Sequence, residues 1–170
     1  MAKPKPEQEL QNEGRLCIGS LPFVRLYRNN VGTLTDRNGT PVSYGLAVGS
    51  ADTIGIVAPH GCFLSIEWKR PGWKPPTVPP GVPYERLSKA LQRHVDQCNW
   101  RDQINAQGGV AGFASVLTEG LFLVHVAMRG LSIGSVRRDD PETVQWVLDT
   151  ERQFHERMAE RGKRKTNRDR

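Results

Sequence analysis

The stretch Gly49 to Lys69, GSADTIGIVAPHGCFLSIEWK, constrains the fold more than any other. Two apolar runs, ADTIGIV and CFLSIEW, flank the turn-like Pro59-His60-Gly61. Runs rich in Ile, Val, Leu and Phe, bounded by Gly and Pro, read as paired β-strands. Side chains alternate along a strand, so Glu67 and Lys69 share a face with Phe63 and Ser65. Cys62, Leu64, Ile66 and Trp68 fill the other face. Asp52 opens the neighbouring strand, and a hairpin brings its carboxylate beside that of Glu67.

Two carboxylates held together in a partly dry site repel, and one tends to keep its proton. A divalent cation removes the conflict and keeps both ionised. The ammonium of Lys69 beside such an ion can hold or polarise a water or an anionic oxygen. A hard cation, a positioned water and a lysine are the parts needed to attack a phosphodiester.

The rest of the chain supplies elements around this hairpin. Pro6 to Ile18 reads as a helix with Leu10, Leu16 and Cys17 on its apolar stripe, acidic residues in its first turn and Gly14 as its weak point. Phe23 to Asp36 alternates as a strand, Arg37-Asn38-Gly39 marks a turn, and Pro41 to Val48 leads into the hairpin. Arg70 to Pro83, RPGWKPPTVPPGVP, is a loop that cannot continue a ladder and that borders or covers a site. Its Trp73 and Lys74 offer a stacking surface for a base and a phosphate contact, but packing of the loop onto the domain through Trp73 is the plainer reading. Tyr84 to Gln107 is one long helix or two short ones, with Leu87, Leu91, Val95 and Ile104 on its buried stripe and Gly108-Gly109 as its stop. Val110 to Ser115 is a short strand and Leu117 to Met128 a helix. Asp140 caps a last helix that begins at Pro141 and carries Trp146, Val147, Phe154 and Met158 on one side. The expected fold class is α/β, a central mixed sheet flanked by helices.

At 170 residues the chain can bury one full core. It has no apolar run of about 18 residues, so no membrane span is expected. The start, MAKPKPEQEL, lacks the apolar centre of a signal peptide. Cys17, Cys62 and Cys98 are odd in number, far apart and form no CxxC, and the four histidines are scattered. That pattern argues against a disulfide framework or a zinc site and for a cytoplasmic protein. The net charge is +6, and residues 161–170 carry six Lys/Arg against one Asp. This end reads as a basic disordered tail, either drawn to a polyanion or merely solubilising.

Four blocks stand in order along the chain: RLYRNNVG at 25–32, YGLAVGSADTIGI at 44–56, FLSIEWKRPG at 63–72, and Gln97 followed by INAQGGVAGFA at 104–114. With them the chain resembles the VRR-NUC family of the PD-(D/E)XK nuclease superfamily, in its small stand-alone phage and bacterial form. The resemblance implies a restriction-endonuclease-like αβββαβ core in residues 1–130, with a helical extension at 131–160 and the tail at 161–170. It implies Asp52 and Glu67 as metal ligands, joined by the Trp68 carbonyl and by Glu9 of the first helix, with Glu7 and Glu13 as competitors for that last place. Lys69 matches the catalytic lysine, and Gln97 the helix glutamine that faces the site. Arg28, Asn30, Tyr44, Ser50 and Arg70 belong to the same blocks and are candidate substrate contacts. The implied activity is a Mg²⁺- or Mn²⁺-dependent DNA endonuclease that leaves a 5′-phosphate and a 3′-hydroxyl. The implied substrate is branched DNA such as a four-way (Holliday) junction, cut by a homodimer in the cytoplasm of a bacterium or phage-infected host. Paired cuts want two sites, and the Trp146 and Phe154 side of the last helix is a candidate interface. A nuclease without junction preference and a non-catalytic DNA-binding module are the alternatives. The Pro-rich segment 71–83 is longer than the family pattern, and residues after 130 have no counterpart in its minimal domain.

Overall fold

The structure is a computed structural model and describes residues 6–168. Helix α1 (Glu7–Gly19) is followed by strands β1 (Val24–Arg28), β2 (Gly32–Thr35), β3 (Pro41–Tyr44), β4 (Thr53–Val57) and β5 (Cys62–Trp68). Then come α2 (Lys89–Ala106), β6 (Val110–Ala114), α3 (Leu117–Met128) and α4 (Pro141–Arg168). Among the described residues the strands form a four-stranded sheet in the order β1-β4-β5-β6 and a separate ribbon of β2 and β3. Strands β1, β4 and β5 pair antiparallel, and β6 pairs parallel to β5. Helix α2 is the crossover that a parallel β5–β6 pair requires. The protein is thus an α/β fold with a mixed sheet flanked by helices.

The alternation in CFLSIEW sets the layers. Leu64, Ile66 and Trp68 are fully buried on one face of β5, in the core that α1 and α3 complete. The opposite face carries Phe63, Ser65 and Glu67 and is covered by α2, whose Trp100 Nε1 donates to Ser65 Oγ at 2.9 Å. Helix α3 is apolar on every side and buried along most of its length, as a core helix must be. Asp140 caps α4 as its sequence implies, its carboxylate accepting from the Thr143 N–H at 2.9 Å.

Trp68 is the largest fully buried side chain, and its indole N–H donates to Thr53 Oγ1 at 3.0 Å. Its ring lies against Gly14 of α1 and Gly120 of α3, where an added Cβ would overlap it. Gly14 is therefore a packing residue, not a flaw in the helix. Alanine favours a helix over glycine by about 1 kcal/mol, but overlap with a rigid buried ring outweighs that gain. Gly14→Ala is expected to lower the unfolding free energy by roughly 1–3 kcal/mol, read from urea unfolding.

Four expectations change. The strand expected over residues 23–36 is two strands in different sheets. It breaks at Asn29, whose backbone N–H bonds the Asp52 carbonyl at 2.8 Å, and β2 then turns to β3 instead. The turn at Arg37-Asn38-Gly39 closes that ribbon, with Asp36 Oδ1 accepting from Asn38 and Thr40 N–H. Residues 41–48 hence contribute to the ribbon before reaching the central hairpin. The stretch 161–168, expected as a disordered tail, continues α4 to Arg168; residues 169–170 lie outside the described residues. Nor is the Trp146 and Phe154 side of α4 free for a second subunit. Phe154 is buried in the chain's own core, and Trp146 stacks on His125 of α3 with ring centroids 4.9 Å apart. Finally, Leu16 is exposed, so the buried stripe of α1 runs through Leu10, Gln11, Gly14, Cys17 and Ile18.

Candidate active site

The end of the β4–β5 hairpin brings the three expected side chains to one place. The ladder pairs Thr53 with Ile66, so Asp52 and Glu67 face each other just beyond it. The Trp68 N–H donates to Asp52 Oδ2 at 3.0 Å, and the Asp52 N–H donates to Glu67 Oε2 at 3.2 Å. Each carboxylate is therefore fixed by the other strand's backbone. Lys69, two residues along the same face from Glu67, donates to Glu67 Oε1 at 2.8 Å. From α2, Gln97 accepts from Lys69 Nζ at 3.0 Å through its Oε1, and its amide nitrogen donates to Glu67 Oε1. Asp52, Glu67, Lys69 and Gln97 thus form one connected cluster.

The cluster sits in an open cleft of about 910 Å³. Of the candidate substrate contacts, Arg28, Asn30, Tyr44 and Ser50 line this cleft. Arg70 does not; its backbone N–H donates to Glu7 Oε2 at 3.1 Å. Glu7, not Glu9, is the α1 carboxylate in the cleft. The reason is helical phase. Glu7 lies four residues before Gln11 and seven before Gly14, in line with the buried stripe, and its exposed carboxylate accepts from the Arg70 N–H, whereas Glu9 falls off that line.

Asn29 is a structural contributor that the sequence reading passed over. Its amide nitrogen donates to Ser50 Oγ and to the Ala51 carbonyl, both at 2.9 Å. With its backbone bond to Asp52 it ties β1 to the residues that deliver the carboxylate. Nothing in the sequence singles it out, because its bond to Asp52 depends on how β1 meets β4. Lys89 and Arg93, at the start of α2, also line the cleft and add positive charge to it.

Burial works against ionisation here. The Glu67 carboxyl is pushed from 4.5 up to about 7, first by burial and then by the negative charge of Asp52, against the pull of Lys69. Burial also raises Asp52, opposed by the Trp68 N–H and by Lys69. Among the described residues no three His, Cys, Asp or Glu side chains converge into a ready-made metal cluster. The donor set is smaller: two carboxylates, the carbonyl of Trp68 between Glu67 and Lys69 in sequence, and Glu7 on the cleft wall. Two carboxylates with water completing the shell is the usual protein contribution to a Mg²⁺ site. Asp52 Oδ1 accepts no hydrogen bond among the described residues, which leaves it available to a cation. The residues present fit a hard divalent ion.

The raised Glu67 carboxyl has a sign that can be tested. The native state holds this proton more tightly than the unfolded chain does. Stability of the metal-free protein therefore falls as pH rises from 4.5 through about 7. The loss is on the order of 3 kcal/mol, and Glu67→Gln is expected to flatten it. Mg²⁺ is expected to raise the melting temperature more at pH 8 than at pH 5. Equal shifts at both pH values contradict a cation that binds the ionised pair.

Comparison with protein-family models, with curated proteins and with solved structures finds no match for this chain.

Proposed function

We propose that the chain is a Mg²⁺- or Mn²⁺-dependent DNA endonuclease of the PD-(D/E)XK type, within its VRR-NUC family, acting on branched DNA. The observation that carries this reading is the convergence of Asp52, Glu67 and Lys69 at one end of a β-hairpin. The chain order of the main sheet and its helices, α1-β1-β4-β5-α2-β6, also supports it, since the β2–β3 ribbon is an insertion into an αβββαβ core.

Asp52 and Glu67 would hold the ion, with the Trp68 carbonyl and Glu7 as further oxygen donors. An ion held there would supply charge neutralisation at a scissile phosphate and a more acidic water. Lys69 directs its ammonium into the same corner, where it can hold the attacking water or a phosphate oxygen. Gln97 fixes Glu67 Oε1 and Lys69 Nζ at once, which keeps both from reorienting when substrate arrives. Arg28, Lys89 and Arg93 give the cleft a cationic rim for the flanking phosphates.

The testing experiment compares a four-way junction, a flap and a linear duplex of equal sequence, with Mg²⁺, with Mn²⁺ and with chelator. The reading expects metal-dependent cleavage that favours a branched form. Equal cleavage of all three leaves a nuclease without structure preference. Binding without cleavage under either metal leaves a DNA-binding module.

A further inference from the structure

The Pro-rich segment between β5 and α2 lays one of its side chains, Trp73, against Lys69. From residue 72 to residue 86 every side chain except Trp73 is exposed. Arg70-Pro71-Gly72-Trp73 forms a tight turn closed by the Trp73 N–H on the Arg70 carbonyl at 3.0 Å, with Gly72 at φ +76°. Pro followed by Gly at the two central positions is the composition of a type II turn, and glycine takes that positive φ without strain. The turn doubles the chain back on the end of β5 and lays the indole beside Lys69.

Lys69 Nζ lies 5.6 Å from the centroid of the Trp73 ring and 5.7 Å from that of Phe113. The two rings are 5.2 Å apart, and buried His94 stands 5.9 Å from each. Lys69 is thus enclosed by aromatic rings on one side and by Glu67 and Gln97 on the other. A lysine stem is long, flexible and strongly hydrated when free. Ring faces attract the ammonium and cover the methylenes.

We propose that Trp73 is a positioning residue for Lys69: with Phe113 it confines the ammonium to the Glu67–Gln97 corner of the cleft. The Pro-rich segment then has a task that its exposure elsewhere conceals. The proposal rests on the reading of Lys69 as the catalytic lysine, but its first test does not need cleavage.

That test is the rate at which Lys69 is acylated by a lysine-reactive ester, followed by peptide mass spectrometry without DNA or metal. Trp73→Ala is expected to speed Lys69 labelling about fivefold or more, and Trp73→Phe to leave it within about twofold, because a ring face remains. Gly72→Val, which forbids the turn but keeps the indole, is expected to behave like Trp73→Ala. In cleavage assays Trp73→Ala is expected to lower kcat about tenfold with KM within about twofold. Unchanged labelling in both Trp73→Ala and Gly72→Val overturns the proposal. So does a raised KM with unchanged kcat, which would make Trp73 a base-stacking contact. If labelling moves but the wild-type chain cuts no DNA, the confinement of Lys69 stands and the nuclease reading falls.

Discussion

Lys69→Ala is expected to lower DNA cleavage by about 10²–10⁴-fold while the chain remains folded. The side chain bonds Glu67 Oε1 at 2.8 Å and Gln97 Oε1 at 3.0 Å, and it lies largely out of solvent. Two losses combine in the variant. The ammonium that would hold water or a phosphate oxygen is gone. Glu67 also loses the cation that opposes its burial and the charge of Asp52, so it holds its proton more tightly. Lys69→Arg is not expected to restore activity, because a planar guanidinium cannot occupy the same corner as a compact ammonium. Single-turnover kinetics with saturating Mg²⁺, beside a thermal melt, is the measurement. Wild-type rates in Lys69→Ala would remove the lysine from the chemistry.

Trp68→Ala is expected to be the most destabilising single change, costing roughly 3–5 kcal/mol in urea unfolding. The indole is fully buried, touches α1 and α3 through Gly14 and Gly120, and spends its N–H on Thr53. Its removal leaves a cavity that helices held by other contacts cannot close, and an unpaired hydroxyl beside it. Trp68→Phe keeps most of the volume and should cost less. The effect matters for function because the Trp68 N–H holds Asp52. One residue therefore joins the core to the site: its side chain anchors three elements, and its backbone orients a carboxylate. A loss of less than about 1 kcal/mol in Trp68→Ala would contradict that role.

Much of this was legible in the sequence because the central hairpin obeys one simple rule. A period of two with an apolar face and a short polar face assigns Leu64, Ile66 and Trp68 to the core and Glu67 and Lys69 to the cleft. Backbone pairing then brings in Asp52 with no further information. Gln97 was reached through the family resemblance and not through the periodicity of α2, and the structure sets it against Glu67 and Lys69. The errors came where local pattern underdetermines tertiary placement. Alternation through residues 23–36 could not reveal that Asn29 leaves the ladder to hold the Asp52 strand. A glycine in α1 looked like a helix defect because its partner, the Trp68 ring, is distant in sequence. Glu9 was preferred through the likeness of EQELQ to the family's first helix, and that likeness did not separate it from Glu7, which the fold sets against the Arg70 N–H. The basic end of α4 continues a helix already nucleated on the core from Val147 to Phe154. The ring enclosure of Lys69 was hidden for a similar reason: Trp73 and Phe113 meet only after the chain has doubled back.

The most direct measurement is DNA cleavage by the wild-type chain and by Asp52→Asn, side by side, with Mg²⁺ and with chelator. Asparagine keeps the size and can still accept from the Trp68 N–H, so the fold is expected to survive. The expected result is cleavage by the wild type that chelator abolishes, and a loss of at least about 10³-fold in Asp52→Asn. Cleavage that persists in the variant, or in chelator, would contradict a metal held by the Asp52–Glu67 pair.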